Sequence, residues 1–335
     1  MVNIHDVAKE AGVSISTVSR VIRGFSNVLP ETRALVEEAI QRLDYQPNRL
    51  AQQFRLQRTN MILVIVPEIG NSFFSDILIG IEDVAAKVGY NVLLVNSRRN
   101  HVIESRCYKM LTQKFVDGII TFSIGIPKEN LKQLAAQYPI VVGIRYFVDE
   151  NVANVTIDNI KAVKDITNYM LNLGHKNICY LAGPQDVPLY QDRVSGYKEA
   201  LQVRDIPVNQ KLIVNCSPDV QGGYDAIYSI LNNSDQKFSA IVASGDIMAI
   251  GAMRALNDRG LKVPDDVAIS GFDDIAFAAL VTPSLTTVRQ PKYQIGVRTV
   301  EKLMDLINGK LLFSHRDVLN HEIVLRESSG GFVGN

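Results

Sequence analysis

From Met61 onward the chain repeats one pattern: a short unbroken run of apolar, mostly β-branched residues, then a stretch with helical periodicity. The apolar runs are Met61–Val66, Asn91–Val95, Gly118–Phe122, Ile140–Ile144, Ile178–Ala182, Ala240–Ala243 and Val267–Ser270. Between them lie amphipathic stretches over Phe74–Val88, Ala162–Leu173, Arg193–Val203 and Asp246–Asp258. A strand with no polar alternation must be covered on both faces. Helices supply that cover through right-handed crossovers between parallel strands, so the pattern predicts an α/β fold. Residues 61–335 are too many for one such sheet, which predicts two α/β lobes with a cleft between them.

Residues 1–46 have a different texture and predict three short helices. Ile4, Val7, Ala8 and Ala11 recur with helical spacing and make one apolar face. Asn3 is placed to cap this helix, with Asp6 completing a capping-box-like arrangement. Gly12 is placed to end it, and Ser14 to cap a second helix carrying Val18, Val21 and Ile22. A third starts at Pro30, a residue suited to the first helical position, and is expected to hold Leu35, Val36, Ala39, Ile40 and Leu43 inside until Pro47 stops it. Leu29, just before it, has no side-chain acceptor for the first free amides. Residues 48–55 are expected to add one more short helix, followed by the polar linker 57–60.

The first two helices, joined at Gly12-Val13, put a polar face on the second: Ser14, Ser16, Thr17, Ser19 and Arg20. Short hydroxyls suit phosphate contacts, and an arginine reaches guanine O6 and N7 in a DNA major groove. The blander reading is a small helical bundle with a solvated face. Charge alone does not decide between them. The whole chain is formally neutral, with 35 basic and 35 acidic residues. Residues 1–60 hold a small positive excess, so the case rests on where the arginines sit.

Other classes find little support. No glycine-rich dinucleotide or phosphate loop and no nucleophile elbow is present, and no cofactor is expected. The histidines (5, 101, 175, 315 and 321) have no paired ligand spacing, so no metal is expected either. Asp273-Asp274 is an acidic pair, but neighbouring residues point in different directions. Cys107, Cys179 and Cys216 match no metal or disulfide spacing and read as reduced, buried thiols. No apolar run spans a bilayer, and no secretory leader is evident, so the cytoplasm is the expected compartment. A solute-binding protein that captures sugars would share the core, but it would need a leader and would leave residues 1–55 unexplained.

The tract from Asp6 to Val21, D-V-A-x-x-A-G-V-S-x-x-T-V-S-R-V, is followed by Thr32-Arg33 and by Tyr45-x-Pro-Asn48. Further motifs run along the chain: Asn71-Ser-Phe-Phe74, Leu173-Gly-His175, Ala182-Gly-Pro184, Arg193, Gly196-Tyr197, Asp246, Gly271-Phe-Asp-Asp274, Leu285-Thr-Thr287 and Gln290-Pro291. Together they resemble the lactose/galactose repressor (LacI/GalR) family of bacterial transcriptional regulators. The resemblance implies a helix-turn-helix head over 1–46, a hinge helix and linker over 47–60, and a core over 61–335 built like the periplasmic sugar-binding proteins. It implies a palindromic operator DNA bound by a homodimer. The DNA contacts it assigns are Asn3, Ser14, Ile15, Ser16, Thr17, Ser19, Arg20 and Asn27 in the head, and Asn48, Arg49, Ala51 and Phe54 in the hinge. Phe54 stands where the family uses a leucine wedge in the minor groove. The effector contacts it assigns are Phe73, Phe74, Arg145, Arg193, Asp246 and Asp273. Ile62–Pro67, Pro188-Leu189 and Gln290-Pro-x-Tyr-x-Ile-Gly296 are similar to the cytidine repressor branch, which favours a sugar or nucleoside effector. Yet the loop Cys216–Gln221 has no aromatic that would stack on a base. The ending Ser328–Asn335 has no leucine heptad for joining dimers into a tetramer.

Overall fold

The computed structural model describes residues 2–22, 24–46, 58–123, 125–144, 151–232 and 237–331. Two compact units emerge, Met1–Thr59 and Asn60–Asn335.

The first unit contains α1 (Ile4–Glu10), α2 (Ile15–Ile22) and α3 (Pro30–Arg42). Val7, Ala8, Val18, Val21, Val36 and Ala39 form its core. The expected caps are present. Asn3 Oδ1 accepts from His5 N–H at 2.8 Å, and Asp6 Oδ2 accepts from Asn3 N–H at 2.9 Å. Gly12 takes φ +64° at the turn into α2, a conformation that costs glycine little. Leu35 departs from expectation: it is 53 % exposed, because the core stripe of α3 runs through Val36 and Ala39, leaving the neighbouring position on the outer face. Leu29 precedes α3 without a side-chain cap bond, as expected.

The second unit is two lobes. The first begins β1 (Met61–Val66), α4 (Phe73–Lys87), β2 (Asn91–Asn96), α5 (His101–Thr112), β3 (Gly118–Thr121), α6 (Lys128–Ala135), β4 (Ile140–Gly143), β5 (Asn154–Ile157). The chain then enters the second lobe through α7 (Asn159–Asn172), β6 (Ile178–Ala182), α8 (Pro188–Gln202), β7 (Ile213–Asn215), α9 (Val220–Leu231), β8 (Ala240–Ala243), α10 (Asp246–Asp258), β9 (Ala268–Asp273) and β10 (Thr286–Arg289). It returns as α11 (Lys292–Ile307) and β11 (Arg316–Leu319), and crosses once more into β12 (Glu322–Val324). The strand orders are β11-β5-β4-β3-β1-β2 and β12-β10-β9-β8-β6-β7. All pairings are parallel except that of β10 with β12.

Each crossing starts where a parallel strand finishes: β5 at Ile157, β10 at Arg289, β11 at Leu319. The C-terminal edges of the two sheets therefore face each other, and the cleft lies between them. This is the edge where loops of a parallel sheet gather and where ligands bind.

Within each lobe two helices cross at glycines. A Cβ on Gly80 would lie 2.3 Å from the Tyr293 carbonyl, and one on Gly296 would lie 2.1 Å from that of Ile77. These bring α4 and α11 into backbone contact. Gly223 and Gly251 do the same for α9 and α10, where a Cβ would fall 2.1 Å from Met248 O and 2.0 Å from Val220 O.

Candidate functional site

The head carries the first set of candidate residues. Val18 and Val21 turn α2 inward, which leaves Ile15, Ser16 and Arg20 exposed and Thr17 and Ser19 half-buried. Ser14 Oγ accepts from Thr17 N–H at 3.2 Å and lies 2.7 Å from Ser16 Oγ, so it caps the helix. Asn27 is exposed, whereas Asn3 uses its side-chain oxygen in the α1 cap. Arg33 Nη2 donates to Phe25 O at 2.6 Å and ties the loop after α2 to α3. The head thus presents one helix with hydroxyls at its start and an arginine a turn later. Asn48, Arg49, Ala51, Phe54 and Arg145 lie outside the described residues.

The second set meets at the cleft edge of the second lobe. Arg193, on α8, is 6 % exposed and extends along the ends of β8 and β9. Its Nε donates to Asn159 Oδ1 at 2.9 Å, and its Nη1 donates to the Ser244 carbonyl at 2.6 Å. Its guanidinium carbon stands 3.7 Å from the Phe272 ring centroid, a cation–π contact. Nη2 faces Asp273 Oδ1 at 3.8 Å.

Asp273 closes β9 with φ +111°, followed by Asp274 at +50°. These turns send the two side chains to different partners. Asp273 Oδ1 accepts from Gln290 Nε2 at 2.7 Å, while its other oxygen has no hydrogen-bond partner among the described residues. Burial raises the Asp273 pKa above the ordinary value, and Arg193, Gln290 and Lys292 offset part of that rise. Asp274 accepts from Arg289 Nε at 2.6 Å and Arg326 Nη2 at 2.7 Å. Burial pushes its carboxyl up, but those two arginines outweigh it and hold the pKa below the usual range. The pair is one carboxylate with an oxygen left open among the described residues beside one held by two arginines.

Asp246 needs a correction. Read from sequence as an effector contact, it is completely buried, and both of its oxygens are committed. Oδ1 accepts from Thr287 Oγ1 at 2.5 Å and Oδ2 from Ile275 N–H at 2.8 Å. Its carboxylate braces the turn that presents Asp273. Phe73 and Phe74 begin α4 at the opposite edge, each 4 % exposed. Their rings pack edge to face with centroids 5.2 Å apart, and Phe74 meets Phe122 at 5.8 Å. They fill the first lobe's core and offer the cleft only a margin.

Sequence reasoning did not assign Asn159, Ser244 or Gln290 to this edge. Gln290 lay within a quoted motif, but its contact with Asp273 depends on the pairing of β9 with β10, which no local pattern reveals. Lys292 was missed too. Its Nζ donates to the Asp274 carbonyl of the second lobe and pairs with Asp76 Oδ2 of the first at 3.3 Å.

A hollow of about 770 Å³ lined by Ile250, Met253, Arg254 and Pro283 lies near the starts of β9 and β10, at the far edge from Asp273. The converging polar groups place the candidate site at the cleft instead. Among the described residues no His/Cys/Asp/Glu group has the arrangement to hold a metal, and no helix is long and apolar enough to cross a membrane.

Comparison with known proteins agrees with this division. Residues 3–48 match the family described as bacterial regulatory proteins, lacI family. Residues 59–322 match periplasmic binding proteins and sugar binding domain of LacI family. The chain is 37 % identical to Catabolite control protein A of Priestia megaterium over 98 % of this chain and 99 % of that protein. It is 33 % identical to the transcriptional repressor CytR of Escherichia coli over 97 % of this chain and 95 % of that one. The lac repressor dimer bound to operator and the anti-inducer ONPF is similar with a TM-score of 0.87 and 26 % identity, covering 98 % of this chain and 99 % of that one. With a helix-turn-helix head, two parallel-sheet lobes and matches along nearly its whole length, this chain is a transcriptional regulator belonging to the LacI family.

Proposed function

We propose that the protein binds a palindromic operator as a homodimer and that a neutral, hydroxylated effector in the interlobe cleft sets its DNA affinity. The observation that carries the effector half is the Arg193–Asp273–Gln290 edge. A carboxylate oxygen without a hydrogen-bond partner among the described residues stands beside a guanidinium and a carboxamide, the donors and acceptors that vicinal hydroxyls need. Phe73, Phe74 and Arg145 complete the assignment from the first lobe and the crossover region. On the DNA side, Ile15, Ser16 and Arg20 read base edges from α2. Asn3, Ser14, Thr17, Ser19 and Asn27 contact the backbone, and Asn48, Arg49, Ala51 and Phe54 reach the minor groove.

The effector changes DNA affinity only through its different affinity for two lobe arrangements. The three crossings at 158, 290–291 and 320–321 are where those arrangements differ. Asp273 and Asp274 serve binding and structure, so the chain is a regulator and not an enzyme. Its work on chromosomal DNA places it in the cytoplasm.

The test pairs selection of DNA sites from a random library with mass spectrometry of metabolites retained from cell extract. The expected result is a two-fold symmetric site together with a retained sugar or nucleoside that alters the gel shift. Asp273→Ala should lose the response and keep the site. An asymmetric site, or a response intact in that variant, overturns the proposal.

A further inference from the structure

The segment Cys216–Gln221, which leads into α9, holds no aromatic residue, and the rings of Phe73, Phe74 and Phe272 are almost wholly buried. A hydroxylated ring has polar edges but apolar faces, so its site needs a flat apolar surface as well as Asp273 and Arg193. Tyr190 supplies one. It sits in the first turn of α8, three residues before Arg193, so both side chains lie on the same helix face.

Gly183 makes room for the ring. It directly follows β6, at the sheet edge where β9 ends in Asp273. A Cβ there would fall 2.3, 2.4 and 2.6 Å from Cε1, Cδ1 and Cζ of Tyr190. The tyrosine ring therefore rests on bare main chain at the cleft edge. The Arg193 guanidinium carbon stands 5.8 Å from its centroid, on the way to Phe272. Tyr190 is half-buried, so part of its surface remains for a ligand.

We propose that Tyr190 is the stacking face of the effector site, and that the effector is a neutral aldose in ring form. Its C–H face lies on the tyrosine and its hydroxyls reach Asp273 and Arg193. The inference rests on the reading of the Arg193–Asp273 edge as the effector site. The neutral class follows from the charge balance of the described residues at this edge. Arg193 faces a carboxylate and spends two N–H groups on Asn159 and Ser244, so it holds no surplus charge for a phosphate or carboxylate.

The chain contains no tryptophan, so Tyr190→Trp creates a protein with one indole emitter at the site. The full chain is titrated calorimetrically with D-ribose, D-glucose, D-galactose and cytidine, as wild type, Tyr190→Ala, Tyr190→Phe and Asp273→Ala. Tyr190→Trp is followed by fluorescence with the same four compounds. The expected result is binding of at least one sugar, weakened about tenfold or more by Tyr190→Ala and within about threefold of wild type for Tyr190→Phe. That sugar shifts the Tyr190→Trp emission, which keeps the test valid if the alanine variant folds poorly. Sugar binding that is equal in Tyr190→Ala, with unmoved emission, overturns the stacking role and leaves the cleft standing. Sugar binding unchanged in Asp273→Ala overturns the cleft assignment itself. Binding of cytidine alone, or of none of the four, overturns the aldose.

Discussion

Thr287 Oγ1 donates to Asp246 Oδ1 across 2.5 Å, and this bond links the strand before the second crossing to the first turn of α10. With the Ile275 amide on its other oxygen, Asp246 satisfies two buried donors. Asp246→Ala should cost roughly 2–5 kcal/mol, because both donors are left without partners. Urea unfolding measures it, and a loss under about 1 kcal/mol argues against the brace. Burial, and next the nearby Asp273 charge, push the Asp246 pKa well above its ordinary 3.8. The folded state then holds this proton more tightly than the unfolded chain. The stability it contributes is present below about pH 4 and falls as pH rises through the folded value. Asp246→Asn cannot lose a proton, so its stability deficit against wild type should shrink from about pH 4 upward. A deficit that grows instead reverses the sign and the assignment.

Asp273 presents its carboxylate from φ +111°, which strains any residue but glycine. Asp273→Gly should keep or raise the melting temperature while abolishing the effector response in a gel shift. A fall of several degrees means that the side chain's bond to Gln290 outweighs the relief of strain.

The glycine crossing of α4 and α11 leaves no room for a methyl group. Gly80→Ala and Gly296→Ala should each destabilise the protein by about 1–3 kcal/mol, by forcing the two backbones apart. Chemical denaturation of the two variants checks this, and neutral behaviour in both shows that the crossing relaxes freely.

How much of this was legible in sequence depended on which forces made each element. The buried parallel strands β1, β3, β4, β6 and β8 stood out because both faces are covered and nearly every residue is apolar, Thr121 at the end of β3 excepted. β5 and β10 did not, although β5 is fully buried and β10 is buried up to the exposed Arg289. Polar residues interrupt their apolar pattern: Asn154 donates to Val152 O two residues away, and Thr287 donates to the distant Asp246. The edge strands β7, β11 and β12 are short and partly exposed, and so carry little pattern. The capping of α1 and α2 was legible because it spans only a few residues. At the cleft, Arg193 and Asp273 came from the family motifs, but the commitment of Asp246 to Thr287 and the seat of Tyr190 on Gly183 depend on sheet register.

Leu29 is 72 % exposed and leaves the first amides of α3 without a side-chain cap. Leu29→Ser should stabilise the start of that helix by about 0.5–1.5 kcal/mol. Amide hydrogen exchange across α3 in the full chain should slow in proportion, and faster exchange shows that the leucine was packed against something.

Arg20 is exposed one turn into α2 and beyond its hydroxyl cluster. Arg20→Ala should lose about 1–3 kcal/mol on the selected operator and discriminate less against altered sites. An equal loss on random DNA reduces Arg20 to a phosphate contact.

The chain's three passages between lobes also set an order of events during synthesis. The helices of the head end at Arg42, so it can fold before the strands of the first lobe have all been made. The first lobe has no such freedom. Its sheet lacks β11 and the cover of α11 until Leu319 has emerged, long after its other strands. A nascent chain therefore displays its helix-turn-helix for much of its elongation, before it owns a closed sensor that could govern it.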